Sequence, residues 1–351
     1  MTFWADRLTH AVGAANVDAA AEARVVVSPG APAELADVLR IGAEVGATVV
    51  VGADSAARGR EVIALDLGRM RSVLHLDETS LLVVAQVGIT VEALETMLVE
   101  RGLTLGPLPS WARERSLGAL LSAPRPSEAT PRLGRFTQAC AGVAALLADG
   151  TEIATRVAPR KATGPDLMHA LVGARGTLGL LTSVTLRVVR RQETRLEASF
   201  KLPSLAAALT AARALLVRGG RPADLTVTAA GTLSLMVDGP EPLAHAERAL
   251  CESIARGLGG APVPFAPPPR AQGRPHERAL PLEDIDRAVP PPPDAATDAV
   301  RVIGWHTGGA CLVDLSRPPA PPPAPPPLWA ALKRRLDPER RLADWPQSET
   351  R

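Results

Sequence analysis

The first half of the chain alternates between two spacings of apolar side chains. Short apolar runs at 24–27 and 47–54 are typical of strands, the second running into a loop. Between them, the apolar positions of residues 31–46 recur as on one face of a helix: Leu35, Val38, Leu39 and Ile41. Pro32 suits the first turn of that helix and Gly46 suits its exit. The strand–helix–strand order predicts a parallel pair connected by a crossover helix.

The pattern continues to about residue 190. Apolar runs at 61–67 and 81–88 predict strands, and residues 90–102 predict a helix with Thr90 as its N-cap. Asp149–Gly150 stands between two strand-like runs, which is the strongest short-range signal for a β-hairpin. A last alternating strand, at about 180–189, closes this half of the chain.

The pattern changes near residue 190, where the predicted elements run strand–helix–strand–strand–helix up to residue 260. This order predicts a separate antiparallel sheet with helices on one face, of ferredoxin-like type. Proline runs then interrupt the chain as extended linkers or surface loops, with two strands at 300–315 and a final helix ending before Pro338. We therefore predict an α+β protein with two domains, at 1–190 and 191–351.

Three glycines precede the last strand of the first domain in "GARGTLGLLTSVTLRVV": Gly173, Gly176 and Gly179. Glycine has no Cβ, so its backbone can turn sharply or approach a ligand closely. Taken alone, the stretch is as compatible with a helix exit followed by a turn as with the close approach of a ligand.

Together with other segments, this stretch resembles the FAD-binding domain of the vanillyl-alcohol-oxidase (PCMH-type) flavoproteins, whose usual form is G-S-x-G-T-L-G-V-I-T-x-x-T-L-x-V. "VVVGADSAARGREVIALDL" resembles the family's first phosphate loop and its strand. "SLGALLSAPRP" resembles its T-I-G-G loop, and "AGVAALLADGTEI" resembles its V-x-G-x-x-V-x-x-A-D-G hairpin. The order of these pieces over residues 24 to 190 implies the family's fold, with the second domain as a smaller cap.

The resemblance implies the residues that would hold FAD. Its pyrophosphate would approach backbone N–H groups in glycine-containing loops. The first loop supplies Gly52, Ala53, Asp54 and Ser55. The second wall and the segment after it supply Ser116, Leu117, Gly118 and Gly134. The glycine-rich stretch supplies Gly173, Gly176, Thr177, Gly179, Leu180 and Leu181. Asp166 matches the family's G-x-D-L and is expected to cap the helix after it.

A closer likeness is to the FAD-binding chain of the multi-subunit glycolate oxidases, with "GADSAARGR" as the first loop and "LKRRLDPERRLADW" as the final helix. This resemblance to a glycolate oxidase subunit implies an FAD-dependent oxidoreductase, or the FAD-binding subunit of one, that oxidises a small 2-hydroxy acid such as glycolate. It also implies partner chains, namely a second flavoprotein and an iron–sulfur subunit. A free-standing oxidase that uses oxygen is a further alternative.

Departures from the family pattern fall where the cofactor would be touched. Asp54 places an acid beside the pyrophosphate, and Ala119 replaces the second glycine of T-I-G-G. Pro165 stands in a segment that has lost the family's Asn and Tyr, and "LADW" stands in place of F-N-P-G. These changes favour an alternative in which the chain is a structural subunit that binds FAD weakly or not at all.

No catalytic residue emerges from the sequence. The H-x-G-D-G-N motif of related D-2-hydroxy-acid dehydrogenases is absent, so no metal site is predicted. His306 could face a substrate from the second domain, but a surface or strand-end histidine is the more ordinary interpretation. Arg58 and Arg60 could bind a carboxylate, although exposed arginines are commonplace.

Composition excludes several other classes of protein. With 39 basic against 37 acidic residues and no like-charged run, no nucleic-acid partner is expected. The three separated cysteines (Cys140, Cys251, Cys311) form no CxxC pair, so they are expected in the core, and electrons would leave through a partner. No apolar stretch is long enough for a membrane span and no signal peptide is visible, so direct membrane insertion is not expected and the predicted location is cytoplasmic.

Overall fold

A computed structural model describes residues 3–21, 24–52, 61–108, 112–125, 129–157, 166–265, 276–281, 298–302, 309–314 and 324–345. The first half contains two sheets with helices packed against them. The second half contains one large antiparallel sheet with two helices on one face.

The first sheet has the strand order β1 (Val17–Ala21), β2 (Arg24–Val27), β4 (Val62–Leu65), β3 (Thr48–Val51). The helices α1 (Phe3–Val12) and α2 (Pro32–Val45) cover it. Pro32 opens α2 and Gly46 ends it in the left-handed conformation, as predicted. β2 and β3 are parallel but not adjacent, because β4 pairs with each of them and lies between them.

The second sheet has the order β5 (Val73–Asp77), β6 (Leu82–Gln86), β10 (Leu180–Arg187), β8 (Cys140–Leu146), β9 (Glu152–Ala154). Around it lie α3 (Val91–Val99), α4 (Leu117–Ser122) and α5 (Leu167–Leu171), together with the strand pair β7 (Leu103–Thr104) and β11 (Val189–Arg190). The hairpin at Asp149–Gly150 is confirmed, since β8 and β9 are antiparallel. The Thr90 side chain caps α3 by accepting from Ala93 N at 3.2 Å.

The second half has the strand order β15 (Ala261–Val263), β12 (Thr194–Lys201), β14 (Thr232–Gly239), β13 (Asp224–Thr228), β17 (Asp298–Val302), β18 (Gly309–Asp314), β16 (His276–Pro281). The helices α6 (Leu205–Val217) and α7 (Glu241–Gly257) cover its apolar face. The predicted antiparallel sheet with helices on one face is therefore confirmed. The strand β16 was not predicted, because it lies among prolines and its apolar pattern is short.

The end of the chain returns to the first half. Helix α8 (Trp329–Leu336) packs Leu332 and Leu336 against the core of the second sheet. Leu342 then forms a parallel bridge with Val49 at the free side of β3. The predicted boundary near residue 190 remains a prediction, but the last described residues pack with the first half.

Candidate cofactor site

The first predicted loop begins where β3 ends. Gly52 has a φ of 85°, and its N–H donates to Leu65 O of β4 at 2.9 Å. No described atom beyond its chain neighbours lies within 4 Å of the place where a Cβ would stand. The positive φ of Gly52 therefore marks the end of β3. The predicted site residues Ala53, Asp54 and Ser55, and the candidates Arg58 and Arg60, lie outside the described residues.

The glycine-rich stretch turns beside this point. Gly173 and Gly176 have φ values of 86° and 75°, which only glycine adopts readily. A Cβ on Gly176 would stand 3.1 Å from Val51 Cγ2, next to the exit of β3. A Cβ on Gly173 would meet no described atom within 4 Å. The structure thus places Gly176 of the glycine-rich stretch beside Val51, the last residue of β3.

This stretch is also tied to the end of α4. Gly173 N donates to Leu121 O at 2.8 Å, and Arg175 N donates to Ser122 O at 3.0 Å. Arg175 has a φ of 57°, a left-handed conformation that is unfavourable for a residue with a side chain. The backbone of Arg175 is therefore held in a conformation that its own residue type does not favour.

The remaining predicted residues of this stretch lie beneath the turn. Thr177 Oγ1 donates to Ala174 O at 2.6 Å and is buried. Gly179 is packed tightly, because a Cβ there would stand 2.9 Å from a methyl group of Leu171. Leu180 and Leu181 are buried in β10, where they pair with β8. These four residues form the base that supports the turn.

The backbone N–H groups of the predicted second wall form hydrogen bonds within the protein. Leu117 N donates to Ile89 O at 2.9 Å, and Gly118 N donates to Val87 O at 2.8 Å. Ser116 Oγ caps α4 by accepting from Ala119 N at 3.2 Å. The backbone donors of Leu117 and Gly118 therefore have protein acceptors. Their predicted contact with FAD stays a prediction.

Gly134 lies in a tight turn that faces the second half. Its φ is 70°, and it exchanges backbone hydrogen bonds with Thr130 at 3.0 and 2.9 Å. Within this turn, Arg132 donates to the carboxylate and the carbonyl of Asp238 on β14. The segment therefore joins the first half to the sheet of the second half.

The described part of the chain offers few candidates for chemistry. No group of three or more His, Cys, Asp or Glu that could hold a metal ion occurs among the described residues. Asp166 caps α5 by accepting from Met168 N at 3.1 Å, as expected, and contacts exposed His169 Nδ1 at 2.7 Å. Burial raises the pKa of the Cys251 thiol to about 12, so it remains protonated. His306 lies outside the described residues.

A buried polar stripe on the seven-stranded sheet of the second half was missed by sequence reasoning. Ser199 and Ser234 join their hydroxyl groups at 2.7 Å, and both side chains are buried. Thr226, which pairs with Ser234 in register, buries its Oγ1 without a hydrogen-bond partner among the described residues. The alternation of Leu225, Thr226 and Val227 places this stripe on the face opposite α6 and α7. That alternation was the available signal.

Comparisons with known proteins agree with this arrangement. Residues 23–156 match the family described as FAD binding domain. The chain is 29% identical over 161 residues to an uncharacterised FAD-linked oxidoreductase, YgcU, of Escherichia coli (strain K12), a match that covers 46% of this chain and 33% of that protein. It is 29% identical over 173 residues to a mitochondrial D-2-hydroxyglutarate dehydrogenase of Bos taurus, covering 46% and 31%.

The fold has a counterpart among solved structures. An alkyldihydroxyacetonephosphate synthase structure superimposes with a TM-score of 0.71 at 15% sequence identity, over 90% of this chain and 75% of that one. The predicted flavoprotein fold is therefore confirmed. The chain spans about a third of the length of the two curated relatives above. None of the described helices is long and apolar enough to cross a membrane.

FAD is the cofactor of this domain family, and the geometry accommodates it. The fit of FAD is judged from the space beside the left-handed glycines. At Gly52 and at Gly173, no described atom beyond the chain neighbours lies within 4 Å of the place where a Cβ would stand, and both residues have positive φ. Glycine backbone of this kind suits the close approach of a phosphate group.

Proposed function

We propose that the chain is an FAD-dependent oxidoreductase, or the FAD-binding part of one, that oxidises the CH–OH group of a small 2-hydroxy acid such as glycolate. The observation that carries this proposal is the contact between the end of β3 and the Gly173–Gly176 turn. Each segment has a left-handed glycine, Gly52 or Gly173, whose Cβ position has no described atom within 4 Å beyond the chain neighbours. The substrate class is supported by the 29% identity to a relative that is named D-2-hydroxyglutarate dehydrogenase.

FAD, when bound, would supply the acceptor for the hydride of the hydroxyl-bearing carbon. The contribution of this chain is binding and orientation. The two glycine turns would receive the phosphate arm, and the buried base from Thr177 to Leu181 keeps the second turn in place. No described side chain has the position and chemistry of a general base, so the proton acceptor is left open.

Electrons must then leave the flavin. The buried cysteines Cys140 and Cys251 belong to different cores and do not form a cluster. A second flavoprotein and an iron–sulfur subunit are therefore proposed as partners, with oxygen as the alternative acceptor. The proposed location is the cytoplasm.

A second candidate function rests on the backbone N–H groups of the second wall, which already donate hydrogen bonds to protein acceptors. Because Leu117 and Gly118 already donate to Ile89 O and Val87 O, fewer backbone groups remain for a pyrophosphate. A structural subunit that binds FAD weakly or not at all, within a redox complex, is compatible with that finding.

Flavin binding separates the two candidates. The purified chain is to be examined by absorbance spectroscopy before and after denaturation, and again after incubation with FAD and gel filtration. A flavin band that travels with the protein supports the oxidoreductase, and reduction by glycolate under argon then tests the substrate. A protein that stays colourless with excess FAD contradicts the oxidoreductase proposal and favours the structural subunit.

A further inference from the structure

A lysine is buried between the last segment of the chain and the glycine-rich turn. Lys333 is 3% exposed, and burial of an ammonium group is costly unless hydrogen bonds and an opposite charge compensate it. Its Nζ lies 2.7 Å from Asp337 Oδ2, on the next turn of α8. It also donates to Thr177 O at 2.8 Å and to Leu342 O at 2.9 Å. One ammonium group thus joins the helix, the segment after it and the predicted cofactor turn.

Two tryptophans strengthen the same connection. Trp329 Nε1 donates to Thr177 Oγ1 at 2.8 Å, so Thr177 is held through its side chain and its carbonyl. Trp345 packs edge-on against Trp329, with ring centres 6.1 Å apart, and the Arg175 guanidinium lies 6.0 Å from its ring centre. Arg175 is the residue with the unfavourable left-handed backbone. Such a conformation persists only where surrounding contacts enforce it.

The same segment also holds the strand that leads into the first loop. Val49 N donates to Arg341 O at 2.8 Å, and Ala343 N donates to Val49 O at 3.0 Å. Asp337 orders the connection by accepting from Arg341 N and Leu342 N at 2.8 and 2.9 Å. Residues 329–345 therefore contact the glycine-rich stretch at Thr177 and the strand β3 that precedes the first loop at Val49.

We propose that residues 329–345 act as a clamp that fixes the conformation of the Gly173–Gly179 turn, with Lys333 as its positioning residue. Lys333 acts through Thr177 and does not itself contact the cofactor. The effect on FAD rests on the proposed function, whereas the effect on the turn does not. A buried ion pair adds little to stability compared with apolar packing, so its value here is the single geometry that it imposes.

Hydrogen exchange in the protein without FAD tests the clamp directly. In Lys333→Met, the amides of Gly173, Arg175 and Thr177, which are hydrogen-bonded in the turn, should exchange at least about tenfold faster than in the wild type. The amides of α6 in the second half should keep their rates. A purely global loss of stability would instead accelerate exchange in both halves, and that result would overturn the proposal.

Flavin titration supplies the second readout, with Arg334→Met as the matched control. Arg334 lies on the same helix and is exposed, so its loss removes one positive charge without touching the turn. We expect the FAD dissociation constant to rise at least about tenfold in Lys333→Met and to stay within twofold in Arg334→Met. Unchanged FAD affinity together with unchanged exchange of the turn would overturn the clamp.

A milder variant covers the case in which Lys333→Met does not fold. Trp329→Phe removes the donor to Thr177 Oγ1 and keeps an aromatic ring beside Trp345. It should accelerate exchange of the same three amides about two- to fivefold, and rates equal to the wild type would contradict the clamp. If the wild type takes up no FAD while these rates still rise in the variant, the clamp stands and the proposed function fails.

Discussion

Two glycine-bearing segments that look alike in the sequence differ in what their backbone meets. At Ser116–Gly118, the N–H groups of Leu117 and Gly118 donate to Ile89 O and Val87 O in the segment after β6, and the missing side chain of Gly118 makes room for Val87. At Gly173–Gly176, two glycines adopt left-handed turns, and Gly173 opens into space free of described atoms. Gly118 allows close packing within the protein, whereas Gly173 faces no described atom.

The difference shows what a glycine in a loop motif can and cannot indicate. Glycine reports that something approaches the backbone closely. Whether that neighbour is protein or ligand depends on contacts between segments distant in sequence, such as that of Gly118 with Val87. Substitutions that place a side chain at Gly118 or at Gly173 distinguish a protein neighbour from a ligand.

Gly118→Val should give the largest effect on stability. Its Cβ would stand 3.1 Å from Val87 Cβ and 3.2 Å from Val87 O, and the branched methyl groups would crowd that region further. Overpacking of this kind costs about 1–3 kcal/mol of unfolding free energy. Thermal or urea unfolding measures the loss, and the FAD affinity of the folded fraction should stay within about twofold. A variant with wild-type stability and lost FAD binding would show that this wall faces the cofactor, and the comparison would fail.

Gly173→Ala, unlike Gly118→Val, should lower the affinity for FAD. The left-handed backbone makes alanine unfavourable by about 1–2 kcal/mol, while no described atom clashes with the new methyl group. In the proposed site the methyl group would occupy space assigned to FAD, so we expect FAD affinity to fall about tenfold, equivalent to about 1.4 kcal/mol. Flavin fluorescence titration measures this change.

The control for Gly173→Ala is Gly219→Ala. Gly219 is also left-handed and open, but it lies at the end of α6 in the second half. It should lose similar stability and keep its FAD affinity. Equal FAD affinity in the two variants would remove Gly173 from the site.

The sequence predicted the elements well where local signals were strong. Pro32 and Gly46 around α2, Thr90 before α3, and Asp149–Gly150 in the hairpin are found where their local chemistry requires them. The flavoprotein fold followed from the order of the motifs rather than from any single one.

The features that the sequence did not reveal depend on contacts across the fold. Lys333 reads as one of three consecutive basic residues on an amphipathic helix, and only the packing of α8 against Thr177 shows that it is buried. β4 lies between β2 and β3 in the sheet. The spacing of apolar residues along the chain does not encode this order of strands. The buried hydroxyl of Thr226 likewise depends on which face of the sheet is covered.

Ser116 allows the smallest and most specific test of the comparison. Loss of its hydroxyl in Ser116→Ala removes the cap of α4 and should cost about 1 kcal/mol, with FAD affinity unchanged. Ser116→Asp sharpens the result, because aspartate also caps a helix and its negative charge is favourable at a helix N-terminus. Asp should therefore retain stability, and FAD affinity should again be unchanged if the phosphate lies elsewhere. Since a carboxylate would repel a nearby pyrophosphate, a large loss of FAD affinity in Ser116→Asp alone would place the phosphate at α4 and make the two glycine segments partners in one site.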